Sequence, residues 1–482
     1  MTITDLFADG NKPNLLLIIT DQERSLQHWP ETFAQDHLPS MTRLANSGIT
    51  FTRAYTGSCM CSPSRATFLT SQYPSQTGVT RTGSPQPPHH LPTELANLAD
   101  VLHEAGYVCA WRGKWHLGGI GPQQYGFQTW DPPDAGNYLC PNDTLGGGDP
   151  DNDGRYLDNM LDFIDERAGK DQPFCLVASF VNPHDVYMAS YQPQLGYETS
   201  DFHKLKIPLP VNCEESLDTK PRGQTIMSWN SRPHANTMQE YVNFYAYLHT
   251  VVDRQIMTLL ERFDKHNLTN DTLTIRFADH GEQALSHGLV EKFCNAYEES
   301  IRIPLIISNP LVCVQPQTTN SLVSSLDLVP TLTHLLGLGE VFSGCFLGKN
   351  IAPILGDPSK SVQDSVHFTY DDIPCREEPS IIRCIRTERY KYAVYFTSDG
   401  ADADWELYDL EKDPNENDNK AGCEAYREVQ NMLDRKLFKT MEEMKTKPRS
   451  FDWPPTETEN SRGGAKNFKT NYAYDKDKCF SK

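Results

Sequence analysis

The sequence predicts an α/β protein with a large mixed, mostly parallel sheet sandwiched by helices, followed by a smaller C-terminal α+β domain. Buried parallel strands are predicted at three segments, 14–21, 173–181 and 271–278, of which the first is an unbroken apolar run, and each leads into polar residues. Amphipathic helical patterns lie between these segments. After about residue 365 the pattern changes to short alternating strands, which indicates a separate antiparallel sheet.

The length of the chain suggests two unequal domains, because 482 residues are many for one compact core. We place the boundary so that residues 1–365 form the α/β domain and residues 366–482 form the smaller one. The tail from Lys447 is rich in Pro, Lys, Asn and Asp, and we expect it to be extended and able to wrap a neighbouring subunit. A homo-oligomer is therefore left open.

The formal net charge of −20 disfavours nucleic acid and an anionic membrane surface as partners. Residues 1–11 have neither the basic region nor the apolar run of a signal peptide, and the longest aliphatic run, 15–19, is too short to span a bilayer. The 13 cysteines are odd in number and widely spread, which favours free thiols in a reducing compartment. We therefore expect a cytoplasmic protein.

The first predicted strand ends at Asp21, at the edge of the sheet where ligand sites form in open α/β folds. Its carboxylate could bind a ligand there, or it could cap the next turn. The residues alone favour neither role.

A candidate reactive cysteine begins the segment Cys61-Ser-Pro-Ser-Arg65. Ser62 suits the N-cap of a helix and Pro63 its first position, so Cys61 would face the N–H groups and the positive dipole end of that helix. Arg65, one turn further on, adds a planar cationic fork that suits sulfate or phosphate oxygens. The alternative is a cysteine buried in an ordinary turn.

Polar side chains also follow the next predicted strand. A helix over 91–105, ended by a glycine, leads into a strand that ends at Gly113. Lys114 and His116 come next, two residues apart, so an extended chain would direct both side chains to one face. The alternative is that both side chains are simply exposed to solvent. The segment 119–155 is rich in Gly, Pro and Asp and predicts a long surface loop.

Helical periodicity returns over 156–166, and the second buried strand, 173–181, then leads to His184. A polar insertion, 188–235, has no clear period and precedes an amphipathic helix over 238–263. The apolar stripe of that helix predicts core packing.

The third strand, 271–278, leads directly to Asp279 and His280. A carboxylate and an imidazole at a sheet edge suit one cation, although such a pair can equally be structural. Further along, 325–337 predicts a helix that ends at its last residue, a glycine. The small C-terminal sheet, which a helix follows, is predicted from three short segments, 381–387, 390–396 and 406–417.

These motifs together resemble the type I sulfatases. The string Cys61-x-Pro-x-Arg65, followed by Ala-Thr-Phe-Leu-Thr, is similar to the signature in which the family's cysteine is oxidised to formylglycine. Gly113-Lys-x-His116 resembles a second signature, and Asp279-His280-Gly followed by Lys292 resembles the metal-and-lysine block. The resemblance extends over about residues 12–420 and implies an alkaline-phosphatase/sulfatase-like fold.

The resemblance also implies roles for individual residues. It implies one divalent cation, Mn²⁺ or Ca²⁺ with Zn²⁺ also open, and a small anionic ester substrate. It implies a formylglycine-generating enzyme as the maturation partner. The Asp21-Gln22 pair, where a second Asp is usual, resembles the choline-sulfatase and phosphonate monoester hydrolase branch. The implied catalytic residues are Cys61, Arg65, Lys114, His116, His184 and Lys292, and the implied metal ligands are Asp21, Gln22, Cys61, Asp279 and His280.

Three other functions stay open beside sulfate ester hydrolysis. Phosphonate monoester or phosphodiester hydrolysis at the same site is favoured by the extra positive charge left when Gln22 replaces an acid. A phosphatase using Cys59-x5-Arg65 is disfavoured, because Pro63 would remove one N–H from its phosphate loop. The third function is that of a non-catalytic binding protein with the sulfatase fold, in which Cys61 stays unoxidised.

Overall fold

The computed structural model describes residues 2–82, 90–130, 134–135, 146–148, 151–229, 237–372, 379–398, 400 and 402–448. The strands are β1 (Asn14–Asp21), β2 (Gly48–Phe51), β3 (Ala54–Tyr55), β4 (Ser58–Cys59), β5 (Val108–Gly113), β6 (Phe174–Pro183), β7 (Thr272–Ala278), β8 (Arg302–Ile303), β9 (Leu305–Ser308), β10 (Gln317–Thr319), β11 (Val323–Ser324), β12 (Ser365–Tyr370), β13 (Ile381–Thr387), β14 (Tyr390–Phe396) and β15 (Ala403–Asp409).

The α-helices are α1 (Phe33–His37), α2 (Pro39–Asn46), α3 (Cys61–Thr70), α4 (Pro74–Thr77), α5 (Leu98–Glu104), α6 (Asn152–Arg167), α7 (Thr199–Phe202), α8 (Met238–Lys265), α9 (Glu298–Ile301), α10 (Leu328–Leu335), α11 (Ala352–Gly356) and α12 (Arg427–Glu443). Short 3₁₀ helices lie at Ile3–Gly10, Pro122–Tyr125, His184–Leu195, Arg222–Met227, Thr269–Asp271, Ser286–Gly288, Ser325–Asp327 and Glu424–Tyr426.

The large sheet has the order β10-β2-β9-β7-β1-β6-β5. Four neighbouring strands, β7, β1, β6 and β5, run parallel, and only β9 is antiparallel to its neighbours. The predicted mixed, mostly parallel sheet is confirmed. Alternate residues of β1 enter opposite cores, so that Leu15 and Leu17 pack toward α3 and α5, while Leu16 and Ile18 pack toward α6 and α8. Helices therefore cover both faces.

A second sheet, of order β15-β14-β13-β12-β4, forms the C-terminal part. Its strands β12 to β15 are antiparallel, and α12 packs Leu433, Leu437 and Met441 against Ile385 and Val394. Strand β4, from the N-terminal part of the chain, adds to this sheet beside β12. The smaller α+β unit is thus confirmed, while the boundary at residue 365 stays a prediction.

Several predicted helix starts were wrong. Helix α3 begins at Cys61, with Met60 rather than Ser62 as its N-cap, because the amide of Ser64 already donates to the carbonyl of Met60 at 2.8 Å. Helix α5 begins only at Leu98, after the capping side chain of Asn97. Helix α6 begins earlier than predicted because its cap is Asp151, whose carboxylate accepts the amide N–H of Gly154.

Two predictions lie partly or wholly outside the described residues. Of the predicted loop 119–155, residues 131–133, 136–145 and 149–150 are outside them, and so is the tail beyond residue 448. Across the part of the chain that the structure covers, no helix combines the length and the apolarity that a membrane crossing requires. The ten cysteines in the same segments are all free thiols.

Candidate active site

The candidate site lies where four parallel strands end side by side. Asp21 is the last residue of β1, Lys114 follows β5, His184 follows β6, and Asp279 follows β7. The strand register aligns these ends, since Thr20 pairs with Ala278 and Asp21 with Pro183 across the two sides of β1. The carboxyl edge of the sheet therefore collects side chains that are far apart in the sequence.

Cys61 lies at the centre of this group. Its Sγ is 3.2 Å from Nε2 of His280 and 3.6 Å from Oδ1 of Asp21, and the residue is only 1% exposed. Asp21, Cys61, Asp279 and His280 each offer a donor atom, and these four atoms lie within 4.8 Å of one another. A sulfur, two carboxylates and an imidazole at such distances form a set that could hold one metal ion.

Arg65 lies one turn along α3 from the cysteine and binds both carboxylates. Its Nη2 donates to Asp21 and its Nε to Asp279, each at 3.0 Å. Its Nη1 donates to the carbonyl of Lys114 and to the hydroxyl of Ser179, each at 2.9 Å. The guanidinium therefore orients the two acids, and a direct bond from it to a substrate oxygen stays a prediction.

The two carboxylates differ in their electrostatic surroundings. Burial opposes the ionisation of Asp21, but the positive charges of Lys114, whose Nζ lies 2.6 Å from Oδ2, and of Arg65 hold its pKa well below the usual range. Burial and then the charge of Asp21 raise the pKa of Asp279 to about 7. The repulsion between these two buried carboxylates is the kind that a bound cation relieves, so the donor set fits a metal ion.

Two histidines lie beside Lys114 and Asp21. Burial, and then the positive charge of Lys114, lower the pKa of His116 and of His184 well below its ordinary value, so both rings are neutral. Among the described residues, both ring nitrogens of His116 lack a hydrogen-bond partner. Nδ1 of His184 also lacks one among these residues. Buried polar atoms without partners are costly, which makes both rings candidates for contact with a ligand. The chain is not extended at His116, whose φ is 59°, but the ring nevertheless lies near Lys114.

Gln22 and Lys292 contact each other at one side of the site. The ammonium of Lys292 donates to Oε1 of Gln22, and the backbone amide of Gln22 donates to Oδ1 of Asp279 at 3.0 Å. The Gln22 oxygen is thus directed to Lys292 in the structure. Its predicted role as a metal ligand stays a prediction.

Several polar residues of the site escaped the sequence analysis. The carboxylate of Asp134 accepts the amide N–H groups of Trp115 and His116, each at 2.8 Å, and fixes the turn after β5. Glu282 and Glu291 contact Gln22. The position of Glu282 in Asp-His-Gly-Glu, immediately after a buried strand, was a usable signal. No local pattern pointed to Asp134.

The packing of Cys59 and the hydrogen bonds of Arg112 involve residues outside the candidate site. Cys59 packs in the apolar cluster that contains Cys294 and Tyr370, and burial raises the pKa of its thiol well above the usual value. The four described hydrogen bonds of Arg65 go to other groups. These facts disfavour a phosphatase with Cys59 as its thiolate nucleophile. Arg112 donates to Thr129 and packs on the ring of Phe163.

The buried ammonium groups of Lys114 and Lys292, together with Cys61 at the start of a helix, make this edge of the sheet suited to an anionic ligand. A hydrolase that acts on anionic esters is a class of protein that fits such a site. The model of the family described as Sulfatase matches residues 13–338, and this chain belongs to the sulfatase family. A second model, described as N-sulphoglucosamine sulphohydrolase, C-terminal, matches residues 286–443. The protein is a sulfuric ester hydrolase.

Relatives of known name support this membership. An ulvan-active sulfatase of Formosa agariphila is 27% identical, over 92% of this chain and 84% of the relative. A choline-sulfatase of Rhizobium meliloti is 27% identical, over 85% of this chain and 82% of the relative. Among solved structures, a phosphonate monoester hydrolase from Silicibacter pomeroyi shares the fold with a TM-score of 0.70 and 22% identity, covering 91% of this chain and 96% of that one.

Proposed function

We propose that the protein hydrolyses small anionic sulfate esters with a formylglycine derived from Cys61 and one divalent cation, releasing inorganic sulfate and an alcohol. The observation that carries the proposal is the position of Cys61. Its Sγ lies at the first residue of α3, within hydrogen-bond or near-contact distance of His280 and Asp21. When hydrated, the aldehyde of formylglycine would present a hydroxyl nucleophile at this position.

The cation would be held by Asp21, Asp279, His280 and residue 61, with Gln22 as a weaker oxygen donor. When bound, it would supply Lewis-acid activation of the nucleophile. An imidazole ligand favours Mn²⁺ or Zn²⁺ relative to a site made only of oxygens, while the two carboxylates also suit Ca²⁺.

The chain's own residues have distinct roles in this proposal. Lys114 and Lys292 bind the negative oxygens of the ester, where charge increases in the transition state. Burial and the charge of Lys114 keep His184 neutral, but a bound anion beside it would raise its pKa and let it protonate the leaving alkoxide. His116, also neutral, takes a proton from the hydroxyl of residue 61 when the inorganic anion is expelled.

A second candidate is the hydrolysis of phosphonate monoesters or phosphodiesters at the same site. It is favoured by the Asp21-Gln22 pair and by the two cationic side chains, Arg65 and Lys114, that are ion-paired with Asp21 and Asp279. Lys292 adds a third cation on the other side of Gln22. These esters carry one negative charge, like sulfate monoesters, but place more charge on their equatorial oxygens in the transition state. The structure weakens this argument, because Glu282 and Glu291 lie behind Gln22 and reduce the positive charge.

The test is to produce the chain with and without a formylglycine-generating enzyme and to measure both the mass of the peptide containing Cys61 and turnover. Substrates are an aryl sulfate, a phosphonate monoester and a phosphodiester. We expect aldehyde at position 61 and sulfate ester turnover only after coexpression. Cys61→Ala removes turnover, whereas the matched control Cys59→Ala retains it. Turnover by Cys61→Ala would contradict the proposal, and a phosphonate rate above the sulfate rate would favour the second candidate.

A further inference from the structure

Two buried glutamates lie behind the candidate site and have no part in the mechanism above. Glu282 and Glu291, here called the acid pair, are both fully buried. Both carboxylates accept hydrogen bonds from the same side-chain amide, that of Gln22. Its Nε2 lies 2.5 Å from Glu282 and 3.1 Å from Glu291.

The acid pair decides which way the Gln22 amide points. Because its NH₂ group donates to two carboxylates, its oxygen must face the opposite direction, where it accepts from the ammonium of Lys292. The same ammonium lies 3.0 Å from Glu291. Lys292 is therefore held between the Gln22 oxygen and one member of the acid pair, and two of its three N–H donors are used.

The carboxylate of Glu282 is itself fixed in orientation. Its second oxygen, Oε1, accepts the hydroxyl of Tyr241 at 2.9 Å and the backbone amides of Ala284 at 3.0 Å and Glu291 at 2.7 Å. Because three donors already point at Oε1 of Glu282, an NH₂ group could not replace this oxygen. Position 282 therefore requires an acceptor, and the atom that faces it from residue 22 must be a donor.

We propose that Glu282 and Glu291 are positioning residues that hold the Gln22 carboxamide and the Lys292 ammonium, and that they make a donor obligatory at position 22. A carboxylate at residue 22 would become the second, beside Glu291, within hydrogen-bond distance of the Lys292 ammonium, and it would face the carboxylate of Glu282 with no donor between them. Unpaired buried charge is strongly unfavourable, so such a change displaces Lys292 from the substrate. The effect on turnover rests on the proposed function; the pairing itself does not.

The test is a charge exchange between residues 22 and 282 that conserves both shapes. The variants are Gln22→Glu, Glu282→Gln and the double variant, each measured for kcat, KM and the midpoint of thermal unfolding. We expect Gln22→Glu to lower kcat/KM at least about 100-fold and the double variant to recover at least about tenfold of that loss. We also expect the unfolding midpoint of the double variant to exceed the value that the two single changes predict by addition.

Glu291→Gln and a control complete the experiment. Glu291→Gln leaves Lys292 with a weaker partner, so KM for the anionic ester rises by a larger factor than kcat falls. The control is Glu406→Gln, another buried carboxylate that accepts three side-chain hydrogen bonds but lies in the C-terminal sheet. We expect it to lower the unfolding midpoint and to leave kcat and KM unchanged.

Additive effects of the single changes on both kcat/KM and the unfolding midpoint would overturn the proposal. So would an unchanged kcat and KM in Gln22→Glu at a temperature where it is folded, since a purely structural role predicts that result. If the parent protein turned over no ester, the proposed function would fail. The unfolding midpoints of the exchange would then still decide whether the acid pair requires a donor at position 22.

Discussion

Two histidines buried away from the active site should make the protein sensitive to mild acid. His367, on β12, donates from Nδ1 to the carbonyl of Cys384 at 2.8 Å, and its Nε2 accepts from the hydroxyl of Thr446 at 2.9 Å. Burial and then the nearby charge of Arg383 lower its pKa to about 3. Burial likewise lowers the pKa of His249, on α8, to about 4. Both rings are therefore neutral in the folded protein.

The sign and size of the effect follow from proton linkage. A histidine whose pKa is depressed in the folded state stabilises the protein above its unfolded pKa, and this contribution is lost as the pH falls. If the pKa of each ring is 6.5 in the unfolded chain, its contribution to the free energy of unfolding is about 2 kcal/mol smaller at pH 5 than at pH 7. The free energy of unfolding should therefore fall by about 4 kcal/mol from these two residues over that range.

Urea unfolding at pH 7, 6 and 5, followed by tryptophan fluorescence, measures this loss. The variant His367→Asn keeps an N–H near the position of Nδ1 but cannot bind a proton, so its loss between pH 7 and pH 5 should be smaller by about 2 kcal/mol. The exposed His334→Asn is the matched control and should lose as much as the parent. Equal losses in the parent and in His367→Asn would refute the reasoning.

Four further outcomes are expected. Cys61→Ala should abolish sulfate ester turnover in a steady-state assay while Cys59→Ala retains it, and the reverse result would restore the phosphatase hypothesis. Asp279→Asn should hold less than one divalent cation per chain after dialysis, by elemental analysis; a full equivalent would remove this residue from the metal site. Arg65→Lys keeps the charge but not the fork that holds both acids, so kcat/KM should fall about 10²–10³-fold, and an unchanged value would contradict the orienting role. Arg386→Met removes the guanidinium that lies 3.1 Å from the buried carboxylate of Glu298, so the free energy of unfolding measured in urea should fall by about 3–5 kcal/mol. No measurable change would show that this ion pair does not stabilise the fold.

The strands that build the site were predictable because they are buried on both faces. Such burial favours segments rich in apolar and β-branched residues, and the predicted strands at 14–21 and 271–278 coincide with β1 and β7 to within one residue. Helix α8 was equally clear, since one buried stripe repeats over 28 residues. Helix starts such as that of α3 were less predictable, because a cap depends on one or two hydrogen bonds.

The hydroxyl groups on α8 show a limit of pattern analysis. The sequence predicted core packing for the stripe that contains Tyr241 and Tyr245, and both rings are fully buried. Their hydroxyls, however, bind Glu282 and the backbone of Gln22. Periodicity reports which face is buried, but it does not report what a buried polar atom contacts.

The sequence by itself determined the family, the strands and the identity of the candidate groups, because local patterns and short motifs carry that information. Only the tertiary structure decided their contacts. Asp21 lies beside His184 and Asp279 because β1 lies between β6 and β7 in the sheet, and Cys61, 40 residues after Asp21, contacts the same edge from the start of α3. The direction of the Gln22 amide is set by Glu282 and Glu291, more than 250 residues further along the chain. Strand order and hydrogen-bond orientation depend on distant partners, which no local pattern contains.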